Sequence, residues 1–171
     1  MPHVVCVVGK SDVGKTTLVV KLVSEFKGRG YRVATVKHSP QGFELDQAEK
    51  DSWQHIRAGS DTVVISSPQQ LALIRPQDHD ASLTEILELI GEDFDIVLVE
   101  GFKKASAPKI EVHGKGSKAG LICSPEELIA VVTDVPLDAD IAQFSPEDIA
   151  SIVDFIEKNV IGGYPLTSSY K

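Results

Sequence analysis

Gly9-Lys10-Ser11-Asp12-Val13-Gly14-Lys15-Thr16 has the residue types and spacing of a phosphate cradle. It fits G-x-x-x-x-G-K-[ST], the P-loop pattern, in which each position has a chemical task. The glycines let backbone amides converge on phosphate oxygens. A helix opening at the end of the loop adds the positive end of its dipole. Lys15 is placed to reach β- and γ-phosphates, and the Thr16 hydroxyl to ligate Mg²⁺. The predicted nucleotide-binding residues are Gly9, Lys10, Ser11, Asp12, Val13, Gly14, Lys15, Thr16 and Thr17.

Such a loop needs an acidic residue at the end of a second buried strand to hold the metal, directly or through water. Ile96-Val97-Leu98-Val99-Glu100-Gly101 has that form, with Glu in place of the more usual Asp. Gly101 allows the backbone to turn close to phosphate. A third cluster is Lys37-His38, then Asp46, then Lys50-Asp51-Ser52-Trp53. Asp46 is a candidate to bind Mg²⁺ through water, beside Thr16 and Glu100, or to position an attacking water. Asp46 and Asp51 read equally well as helix N-terminal caps that compensate the dipole. Trp53, the only tryptophan, fits a core or a partner groove better than base stacking. His38, His55 and His113 match no metal spacing.

Base choice is weakly marked. The chain has no Asn-Lys-x-Asp guanine motif. Asp134, after Thr133, is placed either to accept from guanine N1 and N2 or to form a turn before Pro136. Lys10 reads either as a solvated loop lysine or as one that reaches a partner's nucleotide in a dimer. With Asp46, it completes the catalytic candidates.

The elements that must position these residues show in the apolar pattern. Val4–Val8 is a β-branched run that reads as a buried parallel strand. Leu18, Val19, Leu22, Val23 and Phe26 recur at helical spacing, and the helix ends near Gly28 and Gly30. Further strands are expected at Tyr31–Lys37, Phe94–Glu100 and Leu128–Thr133. Thr62–Ser66 and Leu71–Ile74 read as a strand pair around Pro68, and Lys109–Val112 as one arm of a hairpin with an exposed edge. Helices are expected over Gln47–Ala58, from the Ser82/Glu85 capping box to Ile90, and from Ser145 and Asp148 through Glu157. Strands alternating with helices imply an α/β fold: a doubly wound, mainly parallel sheet of the P-loop type with a β-hairpin extension.

The chain has 171 residues, 42% of them hydrophobic and 25% charged, which suits one P-loop domain over 1–161 followed by a loose tail over 162–171. Its net charge of −8 argues against a nucleic-acid partner. No apolar run is long enough to span a membrane. The apolar run at the start is too short for a signal-peptide core, so a cytoplasmic location is expected. Cys6 and Cys123 lack metal-ligand spacing and read as buried thiols in a reducing compartment.

Taken together, Gly9–Thr17, Lys37-His38, Phe43…Asp46…Lys50-Asp51-Ser52-Trp53 leading to Ala58-Gly59, and Leu98-Val99-Glu100-Gly101-Phe102-Lys103 resemble the molybdopterin-guanine dinucleotide biosynthesis adapter family, MobB. The resemblance continues through Lys109–Val112 and Val131–Asp134. It implies a fold similar to dethiobiotin synthetase and to nickel-insertion GTPases. It also implies a homodimer that binds GTP with Mg²⁺, hydrolyses it weakly, and assists the guanylyltransferase that joins GMP to the molybdopterin cofactor. The chain departs from the family at Ser39-Pro40-Gln41, where histidines are frequent, and at Glu49, where Gly is usual. Two other classes compete. An ATP-dependent synthetase of the dethiobiotin type would want a substrate pocket with its own acid–base groups, and a metallochaperone GTPase would want His- or Cys-rich tracts.

Overall fold

The computed structural model describes residues 1–43, 50–114 and 120–162. In chain order the strands are β1 (His3–Val8), β2 (Val33–Lys37), β3 (Val63–Ser66), β4 (Leu71–Ile74), β5 (Ile96–Glu100), β6 (Lys109–His113), β7 (Leu128–Thr133) and β8 (Ala142–Phe144). The helices are α1 (Lys15–Gly28), α2 (Asp51–Arg57), α3 (Leu83–Ile90) and α4 (Ile149–Ile156). The chain divides into two compact units. One is Met1–His38 with Leu83–Lys171, and the other is Ser39–Ser82.

The first unit is built on a six-stranded sheet in the order β2-β5-β1-β6-β7-β8. Every neighbouring pair in it is parallel. Parallel sheets are covered on both faces, so their central strands are apolar throughout rather than alternating. β1 and β5 follow that rule along Val4–Val8 and Ile96–Val99. On one face Val5, Val7 and Leu98 pack with Leu18, Leu22 and Phe26 of α1 and with Ile152, Val153 and Ile156 of α4. On the other face Val4, Cys6 and Val97 pack with Leu83 of α3 and with Leu128 and Val131. The fold is thus the expected doubly wound α/β sheet. α4 opens as its sequence predicts, with the Asp148 carboxylate accepting from the Ser151 amide at 3.3 Å. It runs on into a π-helical turn over Glu157–Ile161.

Lys109–Val112 corrects the reading of a hairpin arm with an exposed edge. This segment is β6, an interior strand parallel to both β1 and β7. Its Lys-Ile-Glu-Val alternation imitates a half-solvated strand. Lys109 and Glu111 are nevertheless buried, and each has a partner: the Glu127 carboxylate for Lys109, and the Ile122 and Cys123 amides for Glu111. β8, a three-residue strand pairing with β7, was not anticipated.

In the second unit β3 and β4 form the expected antiparallel pair, in register Val63↔Ile74 to Ser66↔Leu71. Their turn closes on Ser67, whose hydroxyl accepts from the amides of Gln69 and Gln70. α2 covers part of the helix expected over Gln47–Ala58, and positions 47–49 lie outside the described residues, as does 163–171 of the expected tail.

Both cysteines are free and buried. Burial pushes the Cys6 thiol up to about 12, and burial also raises that of Cys123. The thiolate is the nucleophile, so a raised thiol is inert. Native protein at pH 8 is expected to leave Cys6 unalkylated by iodoacetamide, with full modification only in denaturant. Mass spectrometry of the peptide carrying Cys6 checks this.

Candidate functional site

β1 delivers the chain to the C-terminal edge of the sheet at Val8, and the loop Gly9–Gly14 turns it into α1. Gly9 must be glycine there. A Cβ at this position would stand 2.7 Å from the carbonyl oxygen of Val112 in β6 and 3.0 Å from Val13. Gly14 is the N-cap of α1, in the left-handed region with φ 97°, and no side chain caps the helix. The first-turn amides of α1 have no partner inside the helix, so they are available as anion donors. Lys15 Nζ donates to the carbonyl of Lys10 at 2.5 Å, which folds this side chain back over the loop. Lys10, Ser11, Asp12, Thr16 and Thr17 are exposed, and Asp12 holds φ 60°.

The predicted acidic partner arrives where the sequence places it. β5 pairs with β1, and Glu100 ends β5 opposite Val7. The Thr16 hydroxyl lies 2.8 Å from both oxygens of the Glu100 carboxylate. Lys37, at the end of β2 and opposite Glu100 in register, brings Nζ to 3.6 Å from the same carboxylate. Two hard oxygen donors converging beside a phosphate loop suit Mg²⁺, which keeps several waters and takes few protein ligands. Thr16 and Glu100 therefore fit the metal. When bound, it would neutralise charge developing on the phosphates. Asp46, the third predicted ligand, lies outside the described residues.

The end of β5 is pinned on both sides. The Gly101 amide donates to Val7 and the His38 amide to Glu100, each at 3.0 Å. Gly101 has φ 108°, and a Cβ there would meet the His38 side chain at 3.0 Å. Phe102 follows with φ 53°, unusual for a residue with a side chain, and its ring stacks on His38 with centroids 4.3 Å apart. This stack holds Glu100 in place through the backbone on either side.

The other sequence candidates separate. Lys50, Asp51 and Ser52 belong to the second unit: Lys50 precedes α2, Asp51 is its first residue and Ser52 its second. Trp53 is half-buried there, with the Arg57 guanidinium 5.4 Å from its ring centroid. Asp134 is exposed beyond the end of β7. Thr133 forms a turn there, its hydroxyl donating to the carbonyl of Val135 and accepting from the same residue's amide. Sequence reasoning missed Lys109 and Glu111 as buried charges. Their only signal was two ionised residues inside a strand of a parallel sheet.

Residues 4–134 match the family described as Molybdopterin guanine dinucleotide synthesis protein B, or MobB. The chain belongs to the MobB family. It is 36% identical over 152 residues to the molybdopterin-guanine dinucleotide biosynthesis adapter protein of Haemophilus influenzae, covering 88% of this chain and 85% of the relative. The Escherichia coli protein of the same description is 32% identical over 151 residues, covering 85% and 86%. A crystal structure of molybdopterin-guanine biosynthesis protein B superposes with a TM-score of 0.70 at 34% identity, over 91% of this chain and 97% of that one. Within this MobB-family chain, the loop, Glu100 and Lys37 all lie inside the matched span.

Proposed function

We propose that this chain binds GTP with Mg²⁺ on the Gly9–Thr17 loop and acts as an adapter in molybdopterin guanine dinucleotide synthesis. Membership of the MobB family supports the adapter role. The observation that carries the nucleotide reading is the convergence of Thr16 and Glu100 at the mouth of the loop. The adapter assists the guanylyltransferase that attaches GMP to the molybdopterin cofactor, and it turns GTP over only slowly as a homodimer. Slow turnover suits a protein whose nucleotide-bound surface a partner reads. GTP then strengthens docking of the guanylyltransferase by the same factor as docking strengthens GTP binding, since linkage is reciprocal.

Calorimetry with GTP and ATP, each with and without Mg²⁺, tests the nucleotide reading, and titration of the guanylyltransferase with and without GTP tests the adapter. A chain that ignores the guanylyltransferase and consumes ATP with a small acid is a synthetase instead. Glu100→Gln is expected to leave metal-free GTP binding in place and to lower metal affinity roughly 10- to 100-fold. Equal Mg²⁺ enhancement in variant and parent removes Glu100 from the metal site. Light scattering checks the dimer.

A further inference from the structure

The ends of β2 and β5 bring one pair of opposite charges to the mouth of the phosphate loop. Lys37 and Glu100 are partners in the parallel register of the two strands. Side chains alternate along a strand, and Leu98, two residues before Glu100, packs with Leu18 and Leu22 of α1. Glu100 and Lys37 therefore share the sheet face that α1 covers, where Thr16 lies. Directly after the pair, the His38 amide donates to the Glu100 carbonyl at 3.0 Å and ties the two strand ends together.

The two side chains differ in freedom. That of Glu100 is 13% exposed and accepts from the Thr16 hydroxyl, 2.8 Å from each of its oxygens. That of Lys37 is 62% exposed, with Nζ 3.6 Å from Glu100 Oε1. This is an ion pair without a close hydrogen bond, made by a flexible four-carbon stem that swings into water at little cost. To take a divalent cation, Glu100 must offer carboxylate oxygen. Thr16 can stay, because its hydroxyl oxygen is itself a hard donor. Lys37 has no lone pair while protonated, and its charge opposes a second positive charge on the same oxygen. It is the group that must yield.

We propose that Lys37 is the resident counter-ion of Glu100 and makes the site select a metal–triphosphate complex over the bare dication. By keeping the carboxylate paired, Lys37 lowers the affinity for a divalent cation that arrives alone. A divalent cation carried by a triphosphate has net negative charge, so the same lysine does not oppose it. This rests on the reading of Thr16 and Glu100 as metal ligands beside a nucleotide loop. Lys37 acts through the Glu100 carboxylate and ligates nothing itself.

The test is titration of the full chain with Mn²⁺, a paramagnetic ion suited to the same oxygen donors as Mg²⁺, followed by electron paramagnetic resonance. Without nucleotide, Lys37→Met should tighten Mn²⁺ binding about two- to fivefold, the size of an exposed ion pair. Added KCl should narrow that gap, since salt screens exposed charges. Lys37→Arg keeps the charge and should bind Mn²⁺ no more tightly than the parent. In a Glu100→Gln background Lys37→Met should have no effect, because the carboxylate through which it acts is gone. The Mn²⁺ complex of GTP should bind Lys37→Met no more tightly than the parent. Unchanged or weaker binding of bare Mn²⁺ by Lys37→Met overturns the proposal, as does equal tightening in the Glu100→Gln background or for the GTP complex. A Glu100→Gln chain that binds Mn²⁺ as well as the parent overturns the metal reading beneath it. A parent that binds Mn²⁺ but not GTP overturns the nucleotide reading instead, and the bare-metal comparison still decides the part of Lys37.

Discussion

Lys15→Ala is expected to lower GTP affinity about 10- to 100-fold, since a hydrogen bond to a charged group contributes about 1.5–3 kcal/mol. Lys15 opens α1 and folds over the loop to the Lys10 carbonyl, so its ammonium already lies against the loop's own backbone. A compact cation at that point is worth more than a surface lysine, because Lys15 is half-buried and salt screens a partly buried charge less. The same substitution should leave the melting temperature nearly unchanged, because the Lys15 side chain makes one local bond and carries none of the core. Calorimetry and a thermal melt together check both halves. Unchanged GTP affinity would mean that the loop does not bind nucleotide.

Gly9→Ala is expected to do comparable damage by another route. The added methyl would stand 2.7 Å from the Val112 carbonyl oxygen, and that oxygen belongs to an interior strand that cannot retreat. Overpacking of this kind costs about 1–3 kcal/mol. The larger consequence is that the loop must lift off β6, moving several amide donors away from the phosphates at once. Gly14→Ala provides the contrast. Nothing lies within 4 Å of a Cβ there, so only the left-handed backbone resists, at a cost of about 1–2 kcal/mol. Gly9 also has positive φ, 150°, so backbone strain is common to both positions and the contact with Val112 is what separates them. GTP affinity should therefore fall further in Gly9→Ala than in Gly14→Ala. Equal losses would show that backbone conformation, and not contact with β6, governs both glycines.

The parts of the site that were legible in the sequence are those whose signal is local. A β-branched run, a glycine loop and a helical apolar stripe occupy consecutive residues, so β1, the loop and α1 could be read directly. Glu100 was legible because an apolar strand that ends in a single acid brings that acid to the sheet edge where the phosphate loop also lies. Lys109–Val112 misled for the converse reason. Alternation reports which residues are ionisable, not whether a partner waits beneath them, and the partners of Lys109 and Glu111 come from positions 11 to 18 residues further on. β8 is too short for any periodicity to register.

By itself the sequence determined the chemistry available to this protein: a phosphate loop, a lysine and threonine at its end, and an acid on a second strand. It also determined the α/β class, because elements of period two and period 3.6 alternate along the chain. Only the tertiary structure decided the strand order, and with it which residues meet. Parallel pairing of β5 with β1 brings Thr16 and Glu100, 84 residues apart, to 2.8 Å. Pairing of β6 on the other flank places a carbonyl against Gly9 and buries Glu111 below the β6–β7 connection. Such long-range contacts depend on how separate apolar faces share one core, and no local window of residues contains that information.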